Sequence, residues 1–380
     1  MHVFIITQYF PPETGASASR WSDYAEILVK QNHQVSVMCE SPHYPYSRFY
    51  PGFNNPWIKI EKKSPNLKIY RTKAFASNRK TFIKKILHYF VFMFSAISNF
   101  RKVKNYDLLI ISSPPLFTGV VGLFVKKFYN KKFWLDVRDL WPDSAFELGQ
   151  LKKGSILKMG KKLERKIYES AEGFIFPVPS FRAYLESYSE EIAKKPMFEL
   201  MNGVSEVFLN ESLSVKVPKI KSFTVLYSGN IGLAQDIETI VSAADKLKDY
   251  DIKFILIGEG VSKSRIKSLA KTLKKKIDFH KSMPRSDLIK YIKQSSVCIV
   301  PLIDKKIFRS ALPSKMFEYM ACERPVIVSI RGDAKKLINK SKAGIVIDPE
   351  NPYLMSEAIL YYYNNRQKCK IHGQNGLLYV

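Results

Sequence analysis

The stretch TVLYSGNIGLAQDIETIV, residues 224–241, decides how the chain is read. Val225–Ser228 has the apolar character of a buried strand. Gly229 and Gly232 flank a tight turn, and from Ile237 apolar residues recur at helical spacing as far as Leu247. A new apolar run, Lys253–Ile257, follows at once. A strand that passes through glycines into a helix and then into another strand is the repeating unit of a parallel sheet covered by helices. Downstream the alternation continues through Ile277–His280, Val297–Pro301, Val326–Ser329 and Gly344–Ile347. Upstream, Val3–Ile6 leads through a loop, Gln8–Ser19, to a helix at Arg20–Lys30 and a strand at Gln34–Cys39. Further strands are expected at Leu67–Arg71, Leu108–Ser112, Lys132–Asp136 and Gly173–Pro177, with Ser41–Pro56 as a long surface loop. The polar segment Asn202–Ser222 has no strong period and reads as a hinge. The expected class is therefore α/β with two Rossmann-like domains, 1–203 and 204–360, followed by a C-terminal tail, 361–380.

Bulk properties agree with two domains and narrow the partners. A chain of 380 residues exceeds one comfortable core, and its 46% hydrophobic content can fill two. Four scattered cysteines, with no paired spacing and no zinc pattern, fit a reducing compartment. The opening apolar run is cut short by Pro11-Pro12 and reads as a strand instead of a secretion signal. A formal charge of +27 calls for an anionic partner. No zinc-finger spacing or RNA-recognition signature is visible, so nucleic acid is not expected and an anionic membrane surface is. TFIKKILHYFVFMFSAISNFRKVK, residues 81–104, carries basic clusters around an aromatic middle. It is too short to span a bilayer. It reads either as a core helix or as an interfacial helix with Lys84, Lys85, Arg101, Lys102 and Lys104 towards headgroups, and the two roles are compatible.

Three junctions in the second half carry chemistry. In YSGNIG (227–232) the glycines would let backbone approach a phosphate at a helix N-terminus, although a tight turn needs glycine anyway. In ILIGEG, Gly258 and Glu259 follow a strand, and Glu259 either accepts from a ribose or serves as a solvated turn residue. In PSKMFEYMACERP (313–325), Ser314 is placed as an N-cap. Lys315 opposes the helix dipole in the first turn, which an anionic ligand would explain, and Glu318 lies one turn on. A hydroxyl, a lysine and a glutamate so spaced can hold a diphosphate and then a ribose diol.

These three segments, with YFPPETGASASR (9–20), DVRDLWPDS (136–144) and NGVSEVF (202–208), resemble glycosyltransferase family 4, in order and over nearly the whole chain. The likeness is to bacterial enzymes that build O-antigen, capsule or exopolysaccharide. It implies a GT-B fold, two Rossmann-like domains facing across a cleft, and a retaining transfer with no metal and no cofactor. On matching positions Glu318 would bind the donor ribose, with Ser314 and Lys315 on the diphosphate beside backbone near Gly229 and Asn230. Met283 and its neighbours would flank the base, and Gly15 would allow close approach of donor and acceptor. Asp139 would face the reacting sugar, with Asp136 and Asp143 close in sequence.

The sequence departs from the family where a second glutamate, eight residues before Glu318, is replaced by Ser310, leaving Arg309 as a substitute contact to phosphate. Glu323 stands where glycine is usual, and the tail is expected to lack a helix that braces the other domain. The expected function is transfer of a hexosyl or N-acetylhexosaminyl unit from a nucleotide sugar, a UDP-sugar by resemblance, to a polyprenyl-linked saccharide. It would act on the cytoplasmic face of the plasma membrane as a peripheral protein. The competing readings are a nucleotide-sugar epimerase and an inactive, truncated paralogue that scaffolds other enzymes.

Overall fold

Two parallel sheets, one in each of two units, Met1–Met201 and Asn202–Val380, organise the chain. The computed structural model describes residues 1–13, 16–44, 46–77, 82–147, 149, 151, 153–217, 222–273 and 276–380.

The N-terminal sheet contains β1 (His2–Ile6), β2 (Gln34–Glu40), β3 (Ile58–Ser64), β4 (Leu67–Thr72), β5 (Leu108–Ser113), β6 (Trp134–Val137), β7 (Gly173–Phe176) and β8 (Met197–Glu199). Their order is β3-β4-β2-β1-β5-β6-β7-β8, and only the β3–β4 pair is antiparallel. Phe4, Ile5, Ile6, Val37 and Met38 have essentially no solvent access, as befits central strands covered on both faces. The C-terminal sheet contains β9 (Phe223–Ser228), β10 (Ile252–Ile257), β11 (Ile277–His280), β12 (Val297–Pro301), β13 (Val326–Ser329) and β14 (Gly344–Val346). Its order is β11-β10-β9-β12-β13-β14, all parallel. Val225, Tyr227 and Leu256 pack in one core with Ile240, Met355 and Ile359 from the covering helices. Each such fully buried aliphatic side chain contributes about 1.5–3 kcal/mol.

The strands expected from the sequence are present, and the differences have local causes. The β3 sequence IKIEKKS is half charged, and it pairs as an antiparallel edge strand, where lysines discourage pairing with other chains. The first helix begins at Ala16, four residues before the expected start, so Arg20 sits inside it. The hinge segment holds a helix, Glu206–Ser214, because Ser205 caps it by accepting from Phe208 N and Phe208 is buried. The expected surface loop after β2 begins inside the protein, with Ser41 and His43 buried. Residues 361–380 are not a loose tail. Helices Pro352–Asn364 and Arg366–Tyr379 fill this region, and the second packs on helix Ser314–Ala321 of the same unit. A Cβ on Gly376 would lie 3.1 Å from the Met320 side chain, and one on Gly373 only 2.3 Å from Glu323 O. The closing helix thus buttresses the helix that carries Lys315 and Glu318.

Candidate functional site

At the carboxyl edge of the C-terminal sheet the loops after β9 and β10 interlock through their backbones. Gly229 N donates to Ile257 O at 2.9 Å, and Ile231 N donates to Glu259 O at 2.8 Å. A Cβ on Gly258, where φ is +150°, would lie 1.8 Å from Gly229 O, so no side chain fits. Gly229 (φ +132°) has a second reason to be glycine: its Cβ would fall 2.7 Å from Lys315 Nζ. The glycine turn is therefore structural, and it also clears space for a cation.

Lys315 reaches that space from helix Ser314–Ala321. Pro313 occupies the N-cap position and Ser314 is the first helical residue, so Ser314 is not the cap that its type suggested. Proline has no side-chain acceptor, and the first-turn N–H groups gain no side-chain cap bond. Lys315 Nζ donates to Tyr227 OH at 2.9 Å and lies 4.1 Å over the centre of the same ring. Tyr227 OH in turn donates to Asn230 O at 2.5 Å. Loss of hydration lowers the pKa of Lys315 to about 7, partly opposed by Glu318. Burial raises that of Glu318, while Arg285 and then Lys315 draw it down. Tyr319, on the same helix, has its hydroxyl 2.7 Å from Ser228 N, from which it accepts, and 3.2 Å from Ser228 O, to which it donates. This double bond to the end of β9 fixes the rotation of the helix. A poorly hydrated ammonium beside uncapped N–H groups is built to receive an anion.

Neighbouring candidates divide. Glu259 turns back to Lys263 at 2.9 Å, and Lys263 also donates to Gly258 O and His280 O at 2.6 and 3.0 Å. Glu259 is thus engaged in bracing the β10 and β11 ends. Met283 is half-exposed in the loop after β11, two residues before Arg285, whose charge acts on Glu318 and whose guanidinium lies 5.7 Å from the Phe208 ring centre. Asn230 is exposed and donates to Gln235 at 3.3 Å. Arg309 is exposed on a 3-10 turn, 3.9 Å from Asp304, which also pairs with Arg331 at 3.1 Å. Gly15 lies outside the described residues.

Residues 211–378, nearly all of the second unit, match the family of glycosyl transferases group 1. The chain carries a group 1 glycosyl transferase domain, and it is a transferase. A putative colanic acid biosynthesis glycosyl transferase of Escherichia coli, WcaI, is 24% identical over 298 residues, covering 71% of this chain and 69% of that protein. The structure of a sucrose-phosphate synthase from Thermosynechococcus elongatus is similar with a TM-score of 0.74 at 18% identity, over 100% of this chain and 93% of that one. The Anabaena protein HepE in complex with UDP is similar at 0.60 and 12% identity, over 100% and 94%. These likenesses match the expected fold, two Rossmann-like domains of GT-B type.

In the N-terminal unit of this glycosyltransferase the three neighbouring aspartates have separate fates. Asp136 is fully buried, paired with Arg20 at 2.9 Å and accepting from Trp21 Nε1 and Ser112 Oγ at 2.8 and 2.7 Å. Asp143 is held by Lys161 and Tyr184. Asp139, at the carboxyl end of β6, accepts from Ser144 Oγ at 3.0 Å and from Leu140 N–H; burial raises its pKa, and those two bonds oppose the rise. Arg138 beside it donates to Pro114 O at 2.6 Å, and burial lowers its pKa. The sequence gives no sign of Tyr319 or Arg285, since each acts on a residue more than thirty positions away, whereas Lys263 stands four residues after Glu259, a spacing that marks an ion pair.

Proposed function

We propose that this glycosyltransferase moves a sugar from a UDP-sugar to a polyprenyl-linked saccharide, with retention of anomeric configuration and without a metal ion, in the synthesis of a cell-surface polysaccharide. The observation that carries the proposal is Lys315: an under-hydrated ammonium at the first turn of a helix, with Gly229 leaving room beside it. There the ammonium and the free N–H groups would neutralise a leaving diphosphate. Glu318, one turn on, would accept from the ribose diol, and the loop at Met283 would flank the base. HepE, seen in complex with UDP, supports the choice of nucleotide, and the name of WcaI supports the choice of product class. At the acceptor end Asp139, the least committed of the three aspartates, would orient the acceptor hydroxyl or stabilise positive charge on the sugar ring.

The membrane part rests on helix Phe82–Asn99. His88, Phe92, Met93, Ser95 and Ala96 are buried, while Ile83, Leu87 and Phe94 are exposed at 77%, 44% and 59% on the opposite stripe. Among the described residues no helix is long and apolar enough to cross a membrane. An apolar stripe with Lys84 at one end and Arg101 and Lys102 at the other suits an anionic surface, here the inner face of the plasma membrane. Calorimetry with UDP and GDP, each with and without EDTA, tests the donor site: UDP alone should bind, unaffected by the chelator. Preference for GDP, or no binding by folded protein, would overturn the donor assignment. Replacing Lys84, Lys85, Arg101, Lys102 and Lys104 by Gln should release the protein from anionic vesicles at moderate salt. Continued sedimentation with the vesicles would make the helix merely core.

A further inference from the structure

At the carboxyl edge of the N-terminal sheet four polar side chains meet almost without solvent. Gln8 lies two residues past β1, Glu40 ends β2, His43 follows three residues later, and His88 comes from helix Phe82–Asn99. None is more than 1% exposed. Glu40, His43 and His88 each offer a ligand atom, and these atoms lie within 4.8 Å of one another. His88 Nε2 and Glu40 Oε1 are 3.4 Å apart. Two ligands of a tetrahedral ion with bonds near 2.05 Å stand about 3.3 Å apart.

The ring orientations fit the same purpose. His88 Nδ1 is 3.1 Å from Phe75 O, which can only accept, so Nδ1 carries the proton and Nε2 keeps its lone pair. A backbone carbonyl behind the far nitrogen is how ligating imidazoles are commonly held. His43 stands with its ring centre 5.0 Å from that of His88, its Nδ1 3.8 Å from Glu40 Oε1 and 3.0 Å from Ser41 O. Independently, Gln8 Oε1 is buried and has no hydrogen-bond partner among the described residues. Gln8 Nε2 sits 3.1 Å from Glu40 Oε2 and 2.5 Å from His88 Nε2. A carboxylate, two imidazoles and an unpaired amide oxygen thus meet in a dry pocket, an arrangement that a bound cation relieves.

We propose that Glu40, His43 and His88 form a binding site for one divalent cation of the zinc class, with a water as fourth ligand. Mixed imidazole and carboxylate donors at this spacing suit zinc better than magnesium, which prefers six oxygens. The ion would tie the end of β2 to helix Phe82–Asn99, the helix whose outer face is assigned to the membrane. Its role is structural, and the donor site does not depend on it.

The test uses the full chain, free of any histidine tag and stripped with a chelator. Zinc should bind at about one ion per chain and raise the melting temperature by several degrees. Cobalt in its place should give the intense visible bands of tetrahedral coordination. Glu40→Gln and His88→Gln should each weaken zinc binding about tenfold or more while UDP affinity stays the same. Uptake well below one ion per chain at about ten micromolar free zinc, a typical strength for a weak site, would overturn the proposal. So would a cobalt spectrum that persists in the folded variants. If the variants fail to fold, the cobalt spectrum of the unaltered protein decides: weak octahedral bands reject the site. A chain that binds zinc but not UDP would refute the functional reading alone.

Discussion

The two units set the same architecture to opposite chemical uses. In both, loops gather at the carboxyl ends of parallel strands, the position where open α/β sheets place ligands. The C-terminal edge presents donors, with Lys315 and the first turn of its helix, which has no side-chain cap, beside the space that Gly229 leaves. The N-terminal edge is rich in acceptors, with Asp139, Glu40, His43, His88 and also Glu13, which accepts from His43 N and Tyr44 N at 3.0 and 2.9 Å. The fold brings loops together, and under the proposed function a handful of side chains decide whether those loops favour a diphosphate or hydroxyls and cations. For glycosyl transfer that division is useful, because the leaving group is anionic and the acceptor is a hydroxyl.

The largest expected effect breaks the N-terminal half of the comparison. Asp136→Ala leaves the Arg20 guanidinium buried without its carboxylate and should destabilise the protein by about 3–5 kcal/mol in denaturant titration. A loss below about 1 kcal/mol would mean that the pair is marginal to the unit. Gly258→Ala does the same to the C-terminal half, since its Cβ meets Gly229 O at 1.8 Å. A loss of about 3 kcal/mol is expected, with UDP binding lost as well. Intermediate in size, Glu318→Ala should weaken UDP binding by about 1–3 kcal/mol and remove any preference over the 2′-deoxy nucleotide. Equal affinities of variant and parent in calorimetry would take Glu318 out of the site. The smallest effect has the opposite sign. Glu323 holds φ at 59°, where a side chain costs energy and glycine does not. Glu323→Gly should therefore raise stability by about 0.5–1 kcal/mol; a fall would show that the side chain stabilises the helix end by a contact of its own.

The alternation of strands and helices was legible because central strands such as Val297–Pro301 are continuously apolar and their helices amphipathic. Edge elements were not. β3 carries three lysines and a glutamate in seven residues, β8 is three residues long, and helix Glu206–Ser214 is mostly polar. The closeness of Ser314, Lys315 and Glu318 could be read because all three lie within two turns of one helix. The cap could not be placed to the residue, since Pro313 and Ser314 both suit a helix start. That Asp136 and Asp143 are engaged could not be read either, because Arg20 and Tyr184, which hold them, are far away in sequence. The Glu40, His43 and His88 cluster spans more than forty positions and has no spacing that sequence reading would detect.

The most direct test of the central claim is calorimetric titration of UDP into the parent protein and into Lys315→Met between pH 7.5 and 9. With a free pKa of about 7, Lys315 must take up a proton to meet the diphosphate, and bound anion raises its pKa. Affinity of the parent should therefore fall by about tenfold per pH unit above 7 until the bound-state pKa is reached. Lys315→Met should bind UDP more weakly and show little pH dependence in that range, where the phosphates are already ionised. Parent and variant titrating alike, in affinity and in pH profile, would contradict the assignment of Lys315 to the donor phosphates.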